Sequence, residues 1–202
     1  MKDRDNILRR AEERRQCAFA IVEDLGLLER WGAYGRPVIV GAMAYGLVYA
    51  PDIDMEVYCP ELRIEHGFEV LGGCATSSSR VTGTLFRNRL HDPDCALYWR
   101  LTYRDDEGVE WKADMWSAPD NYSLPRSETI VEPMKRALTD DARAVILTLK
   151  EHRETDPSLK CLSIDLYRAV LDDGVRDPDT LRDWLATHRT GELTGWMPEG
   201  AG

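Results

Sequence analysis

The chain predicts an α+β protein, a sheet flanked by helices and followed by a C-terminal helical segment. Three observations carry that reading. Apolar and polar residues alternate with period two over several short runs in the middle of the chain, and apolar residues recur at helical spacing at both ends. No internal repeat or low-complexity tract interrupts the 202 residues, a length that makes one domain, or one with a small appendage, at about 150 residues per domain. Such a chain buries a core without disulfide stapling.

From Asp3 to Leu28 the residues Ile7, Leu8, Ala11, Ala18, Phe19, Val22 and Leu25 fall on one helical stripe with Arg and Glu between them, an amphipathic first helix. Pro37 to Val40 is a β-branched run too short for a helix and closes on Gly41, so it reads as a buried strand. Ala42 to Tyr49 reads as a short helix or turn. Asp52 to Cys59 alternates strictly, with Asp52, Asp54 and Glu56 on one face and Ile53, Met55 and Val57 on the other. A helix from Glu61 to Leu71 follows, then strands at about Ser78–Arg87, Ala96–Arg104 and Val109–Ser117. Asp105 to Gly108 has the composition of a hairpin turn between the last two, and Asp114 and Trp116 share a face of the final strand.

After a loop carrying Pro119 and Pro125 the pattern turns helical, which sets a boundary near 125. Residues 1–125 form the α/β core, 126–190 a helical segment, and 191–202, rich in Gly and Pro, a flexible tail. Thr139 caps one helix, with Ala142, Val145, Ile146 and Leu149 on its apolar face and Pro157 beyond its end. Leu162, Leu166, Tyr167, Val170 and Leu171 mark a second. Asp177 and Pro178 open a third, which aligns Leu181, Trp184, Leu185 and His188.

Composition narrows the function. A net charge of −10 repels polyphosphate backbones, so long DNA or RNA is not the expected partner. It does not exclude a small phosphorylated ligand, because a few arginines and a divalent cation invert the potential in one cleft. No apolar run approaches the roughly 18 residues a membrane span needs, and the amino terminus lacks an apolar signal region. Five cysteines, Cys17, Cys59, Cys74, Cys95 and Cys161, include no CxxC pair and read as reduced thiols. The expectation is a cytoplasmic protein; oligomeric state leaves no mark on the sequence.

Three features carry chemistry together: a strand ending in Gly41, the Asp52-x-Asp54 pair, and Asp114 in a later strand. Same-face strand neighbours lie roughly 6.5–7 Å apart, so two such carboxylates repel by ~2 kcal/mol at an effective dielectric near 20. A divalent cation reverses that sign, since Mg²⁺ takes hard oxygen ligands, keeps waters and completes its shell with substrate phosphates. Acids on one strand face are otherwise a solvated edge.

The order of these parts resembles the nucleotidyltransferase superfamily of the DNA polymerase β type. That family's signature is an apolar strand, Gly-Ser, a short helix, an Asp-hydrophobic-Asp strand, and a third carboxylate from a later strand. Here Val38-Ile39-Val40-Gly41-Ala42-Met43-Ala44-Tyr45-Gly46, Pro51-Asp52-Ile53-Asp54-Met55 and Ala113-Asp114-Met115 supply the parts. The resemblance covers residues 36–117 and implies a mixed sheet with flanking helices. It implies that Asp52 and Asp54 hold the Mg²⁺ that bridges the phosphates of a nucleoside triphosphate. Asp114 would bind a second metal or act as base toward an acceptor hydroxyl, with Glu128 or Glu132 as weaker choices of base. Gly41, Ala42, Tyr45, Gly46 and Lys112 would line the nucleotide.

The implied reaction is Mg²⁺-dependent transfer of a nucleoside monophosphate to a small molecule. A cationic acceptor such as an aminoglycoside or lincosamide antibiotic fits by resemblance only. Ala42 stands where the family has Ser and Tyr45 where members often carry Arg, which removes a hydroxyl and a cation from the phosphate site. Lys112, Arg80, Arg87 or Arg100 would have to compensate. These departures sustain a rival reading, a catalytically degenerate module of the same fold that binds a nucleotide or a protein partner.

Other motifs are set aside. His66, His91, His152 and His188 show no paired ligand spacing, which argues against zinc. Trp99, Trp111, Trp116 and Tyr98 could stack a base but on alternating strands read rather as core, Trp116 being the exception to watch because it shares the face of Asp114. Ser77–Ser79 after Gly72-Gly73 lacks a following Gly-Lys-Ser/Thr and reads as a flexible loop.

Overall fold

The alternating central runs form one five-stranded sheet, and helices from both ends of the chain cover it. The computed structural model describes residues 2–188, 190, 191 and 195–198. The elements run α1 (Lys2–Asp24), α2 (Leu27–Gly32), β1 (Arg36–Val40), α3 (Gly41–Tyr45), β2 (Asp52–Cys59), α4 (Ile64–Ser77), β3 (Val81–Arg89), β4 (Ala96–Arg104) and β5 (Glu110–Pro119). They continue with α5 (Ser127–Ala137), α6 (Asp140–Thr155), a 3-10 turn (Pro157–Leu159), α7 (Ser163–Leu171) and α8 (Pro178–Thr187). The strand order is β1-β2-β5-β4-β3. Only β2 and β5 run parallel; every other neighbouring pair is antiparallel, so the sheet is mixed.

Period-two alternation gives the sheet two unlike faces. Ile53, Met55, Val57, Leu97, Trp99, Leu101 and Met115 fill the apolar face and pack under α1, α2 and α4 through Ile21, Leu25, Trp31, Val70 and Cys74. Gly67 lets α4 lie directly on Trp99, because a Cβ there would come within 2.2 Å of the indole. The other face carries Asp52, Asp54 and Asp114. A second apolar cluster runs from Ile7, Val40, Ala44 and Leu47 into the C-terminal helices through Ile146, Leu149, Leu166 and Trp184. The helices beyond residue 125 therefore share a core with α1 and α3.

Local differences from the sequence reading have physical causes. The first helix does not continue to Leu28: Gly26 turns left-handed at φ 58° and starts α2 on a new axis. The helix expected to end at Leu71 continues through Gly72-Gly73 to Ser77, the first residue of the expected Ser77–Ser79 loop. Gly73 is enclosed there by the Arg30 guanidinium, which a Cβ would meet at 2.4 Å. Thr139 accepts from Ala142 N at 3.1 Å as a cap, and Asp177 with Thr180 forms a full capping box. Of the expected tail, residues 192–194 and 199–202 lie outside the described residues; Trp196 packs against the C-terminal cluster and donates to Asp172 Oδ2 at 2.5 Å.

Candidate active site

The register decides which acids meet. In the parallel β2/β5 pair Asp54 stands beside Asp114 and Asp52 beside Lys112, and paired residues of adjacent strands project from the same face. The three aspartates expected from the sequence are thus neighbours on one surface. Burial first, then the charges of Asp114 and Asp52, push the Asp54 carboxyl up to about 7, against the pull of Lys150. Burial also lifts Asp52 above the ordinary carboxylate range, with the neighbouring Lys112 opposing.

The turn that follows β1 is held against this surface. Val40 pairs with Asp54, and Gly41 then takes a left-handed φ of 64°. A Cβ at Gly41 would sit 2.2 Å from Asp54 Oδ2, so only glycine brings the backbone onto the carboxylate. Three cations from α1 and α6 hold the far end of α3 and the residues just after it. Arg15 Nε donates to Met43 O at 3.0 Å, Arg143 to the carbonyl of Tyr45, and Lys150 Nζ to Leu47 O at 3.0 Å. Cations at unpaired carbonyls of a helix C-terminus are favourable, and here they fix where the Gly41 turn lies.

The remaining expected residues divide. Ala42 is half-buried between the two apolar clusters, and Gly46, at φ 77°, ends α3 where its Cβ would meet Arg143 at 2.6 Å. Tyr45 is buried with its ring edge-on to Tyr167 at 5.8 Å, so its side chain is a core group. Lys112 is exposed. Glu128 is taken by a bidentate pair with Arg36 at 2.6 and 2.8 Å, and Glu132 by Lys135 at 2.7 Å. Arg80 pairs with Asp106 and Tyr103 instead of turning toward the aspartates.

Asp114 is the most heavily bonded of the three acids. Arg100 Nε and Nη2 donate to its Oδ1 and Oδ2 at 2.6 and 2.8 Å, and the Tyr98 hydroxyl donates to Oδ1 at 2.8 Å. Beside it opens a pocket of about 290 Å³ lined by Asp54, Leu85, Arg87, Arg89, Tyr98, Arg100, Asp114 and Trp116. Trp116 leans on Tyr98 at 4.8 Å with Arg89 over its ring at 5.5 Å.

Sequence reasoning missed Lys150. It sits on the apolar side of α6, is 4% exposed, and lies 5.2 Å from the Tyr167 ring centroid while its charge reaches Asp54 and Asp52. A lysine inside an otherwise apolar helical stripe was the available signal.

Asp52 and Asp54 could hold one divalent cation: two repelling carboxylates in a desolvated recess are a hard-oxygen donor set that substrate phosphates and water complete. Among the described residues no group of three or more His, Cys, Asp or Glu side chains is arranged to hold a metal ion. At Asp114 a guanidinium and a phenol already take three of the roughly four lone-pair sites of the carboxylate.

The fold has counterparts in solved structures. The chain matches Cid1 in complex with its short product ApU with a TM-score of 0.58 at 13% identity, covering 84% of this chain and 53% of that one. It matches a cytoplasmic RNA terminal U-transferase with a TM-score of 0.57 at 14% identity, covering 84% and 53%. A match to Cid1 in complex with the UTP analogue UMPNPP has a TM-score of 0.52 at 15% identity and covers 79% and 48%. The chain spans about half the length of each. The sequence matches no protein-family model and no curated protein. At such identities the likeness concerns architecture: the chain has the nucleotidyltransferase fold, an α+β mixed sheet with flanking helices.

Proposed function

We propose that the protein is a nucleotidyltransferase that moves a nucleoside monophosphate from a nucleoside triphosphate to a hydroxyl of a small acceptor. One observation carries the reading: the Gly41 turn is pressed against Asp54, with Asp52 and Asp114 on the same face. In the proposed reaction the acceptor oxygen bonds to the α-phosphorus as the bond to the pyrophosphate oxygen breaks. The acceptor proton passes to water, since Asp114 already accepts three hydrogen bonds. Asp52 and Asp54 would hold Mg²⁺, which supplies charge neutralisation for the phosphates. The Gly41 turn admits backbone N–H groups to the triphosphate.

The net charge of −10 favours a small acceptor over long nucleic acid, and five unpaired cysteines suit the cytoplasm. Among the described residues no helix is long and apolar enough to cross a membrane. The test is calorimetric titration of each of the four nucleoside triphosphates with Mg²⁺, together with pyrophosphate release across an acceptor panel. Asp54→Asn should abolish both binding and turnover while the chain stays folded; unchanged binding would overturn the reading.

A second reading, a nucleotide-binding module without transfer, is favoured by the neutralised Asp114 and by Ala42. It predicts Mg²⁺-dependent binding of a triphosphate with no pyrophosphate released by any acceptor.

A further inference from the structure

The third carboxylate of the site already carries a fixed cation, Arg100. Arg100 and Asp114 face each other across the antiparallel β4/β5 ladder, so their pairing is set by backbone register and not by a chance side-chain excursion. Both N–H groups of one edge of the guanidinium engage both carboxylate oxygens, the bidentate geometry that only arginine provides. The pair is partly shielded: the Arg100 and Asp114 side chains are 35% and 21% exposed. Two further contacts hold the arrangement. Tyr98 donates to the same Oδ1, and Arg100 lies over the Tyr98 ring at 5.7 Å. The charge of Arg100 also reaches Asp52.

We propose that Arg100 is a built-in cation that takes the place of a second divalent ion at Asp114, so the site binds one divalent cation per chain. The inference rests on the proposed metal-holding role of Asp52 and Asp54. A guanidinium delivers one positive charge, is fixed by the fold and does not dissociate. It therefore neutralises Asp114 permanently, leaving Asp52 and Asp54 as the exchangeable part of the site. In this arrangement Arg100 is a positioning residue, acting through Asp114 on the cation site.

Mn²⁺ titrated into the full chain, with the free ion counted by electron paramagnetic resonance, gives the stoichiometry without recourse to activity. The wild-type protein should bind one Mn²⁺ and Arg100→Gln two, the added ion using the released Asp114. Arg100→Lys, which retains a charge opposite Asp114, should return the count to one. Two ions on the wild-type protein, or a single ion on Arg100→Gln with its fold intact by circular dichroism, would overturn the inference and leave the Asp52–Asp54 site standing. No bound ion on the wild-type protein would overturn the metal-holding role itself, and the inference with it.

Discussion

Replacing Asp54 with asparagine should make the metal-free protein more stable while destroying its capacity to bind Mg²⁺ and triphosphate. The carboxyl is pushed from an ordinary value of 3.8 to about 7, first by burial and then by Asp114 and Asp52. A raised carboxyl value means the folded state prefers the protonated form. Between the two values the native chain holds a proton that the unfolded chain has released, so stability falls as pH rises through this window and levels off above it. Each pH unit of the window corresponds to about 1.4 kcal/mol, giving a ceiling of ~4 kcal/mol at pH 8. Partial water access and relaxation screen that figure, and about 2 kcal/mol is the expected gain for Asp54→Asn.

For a chain of this size that gain raises the melting temperature by roughly 4–8 °C at pH 8. Roughly a third of the gain should survive at pH 5 and almost none below pH 4, where the aspartate is protonated in both states. Differential scanning calorimetry in chelator across pH 4–8 measures it. Adding Mg²⁺ at pH 8 should raise the melting temperature of the wild-type protein and leave the variant unmoved. Loss of stability in Asp54→Asn at pH 8, or an equal gain at pH 5 and pH 8, would refute the claim that mutual repulsion and desolvation frustrate this cluster.

Other substitutions test the parts that position the cluster. Gly41→Ala puts a methyl 2.2 Å from Asp54 Oδ2 at a φ of 64°, so urea unfolding should show a loss of about 2 kcal/mol and calorimetry no triphosphate binding. Ala42→Ser restores a hydroxyl beside the turn; at about 1 kcal/mol for one added hydrogen bond, kcat/KM should rise roughly fivefold. Lys150→Met removes the donor to Leu47 O and a positive charge that opposes protonation of Asp54. Its urea midpoint should fall by the equivalent of about 1–3 kcal/mol, and the pH window for loss of stability should shift upward. Thr139→Ala removes the cap on α6 and should lose about 1 kcal/mol in urea with triphosphate affinity unchanged.

Much of this was legible because local patterning and tertiary need agree. Strict alternation from Asp52 to Cys59 gave a strand with those same bounds, and Ala96–Arg104 likewise. Thr139 and Asp177 were readable as caps because their oxygens serve N–H groups only three residues on. Lys150 stands out in the sequence as a lysine in an apolar stripe, but its place beside Leu47 and Tyr167 was not readable, since it depends on α6 folding back over the segment after α3, a contact across 103 residues. The end of the helix after Glu61 was read six residues short of Ser77, since the apolar spacing stops at Leu71 while the backbone hydrogen bonds run on through Gly72-Gly73.

The Arg100–Asp114 pair shows how narrow the margin can be. A four-residue hairpin turn, Asp105 to Gly108, would set Arg104 opposite Val109 and hence Arg100 opposite Ala113, on the core face. In the structure the link runs one residue longer. Asp105 Oδ1 accepts from Glu107 N at 3.0 Å and Val109 N at 2.8 Å, its Oδ2 accepts from Trp111 Nε1 at 2.9 Å, and Arg104 faces Glu110. One residue of register moves every side chain of a strand to the opposite face. The carboxylate that draws Val109 into the turn therefore decides, four residues along the ladder, that a guanidinium meets Asp114.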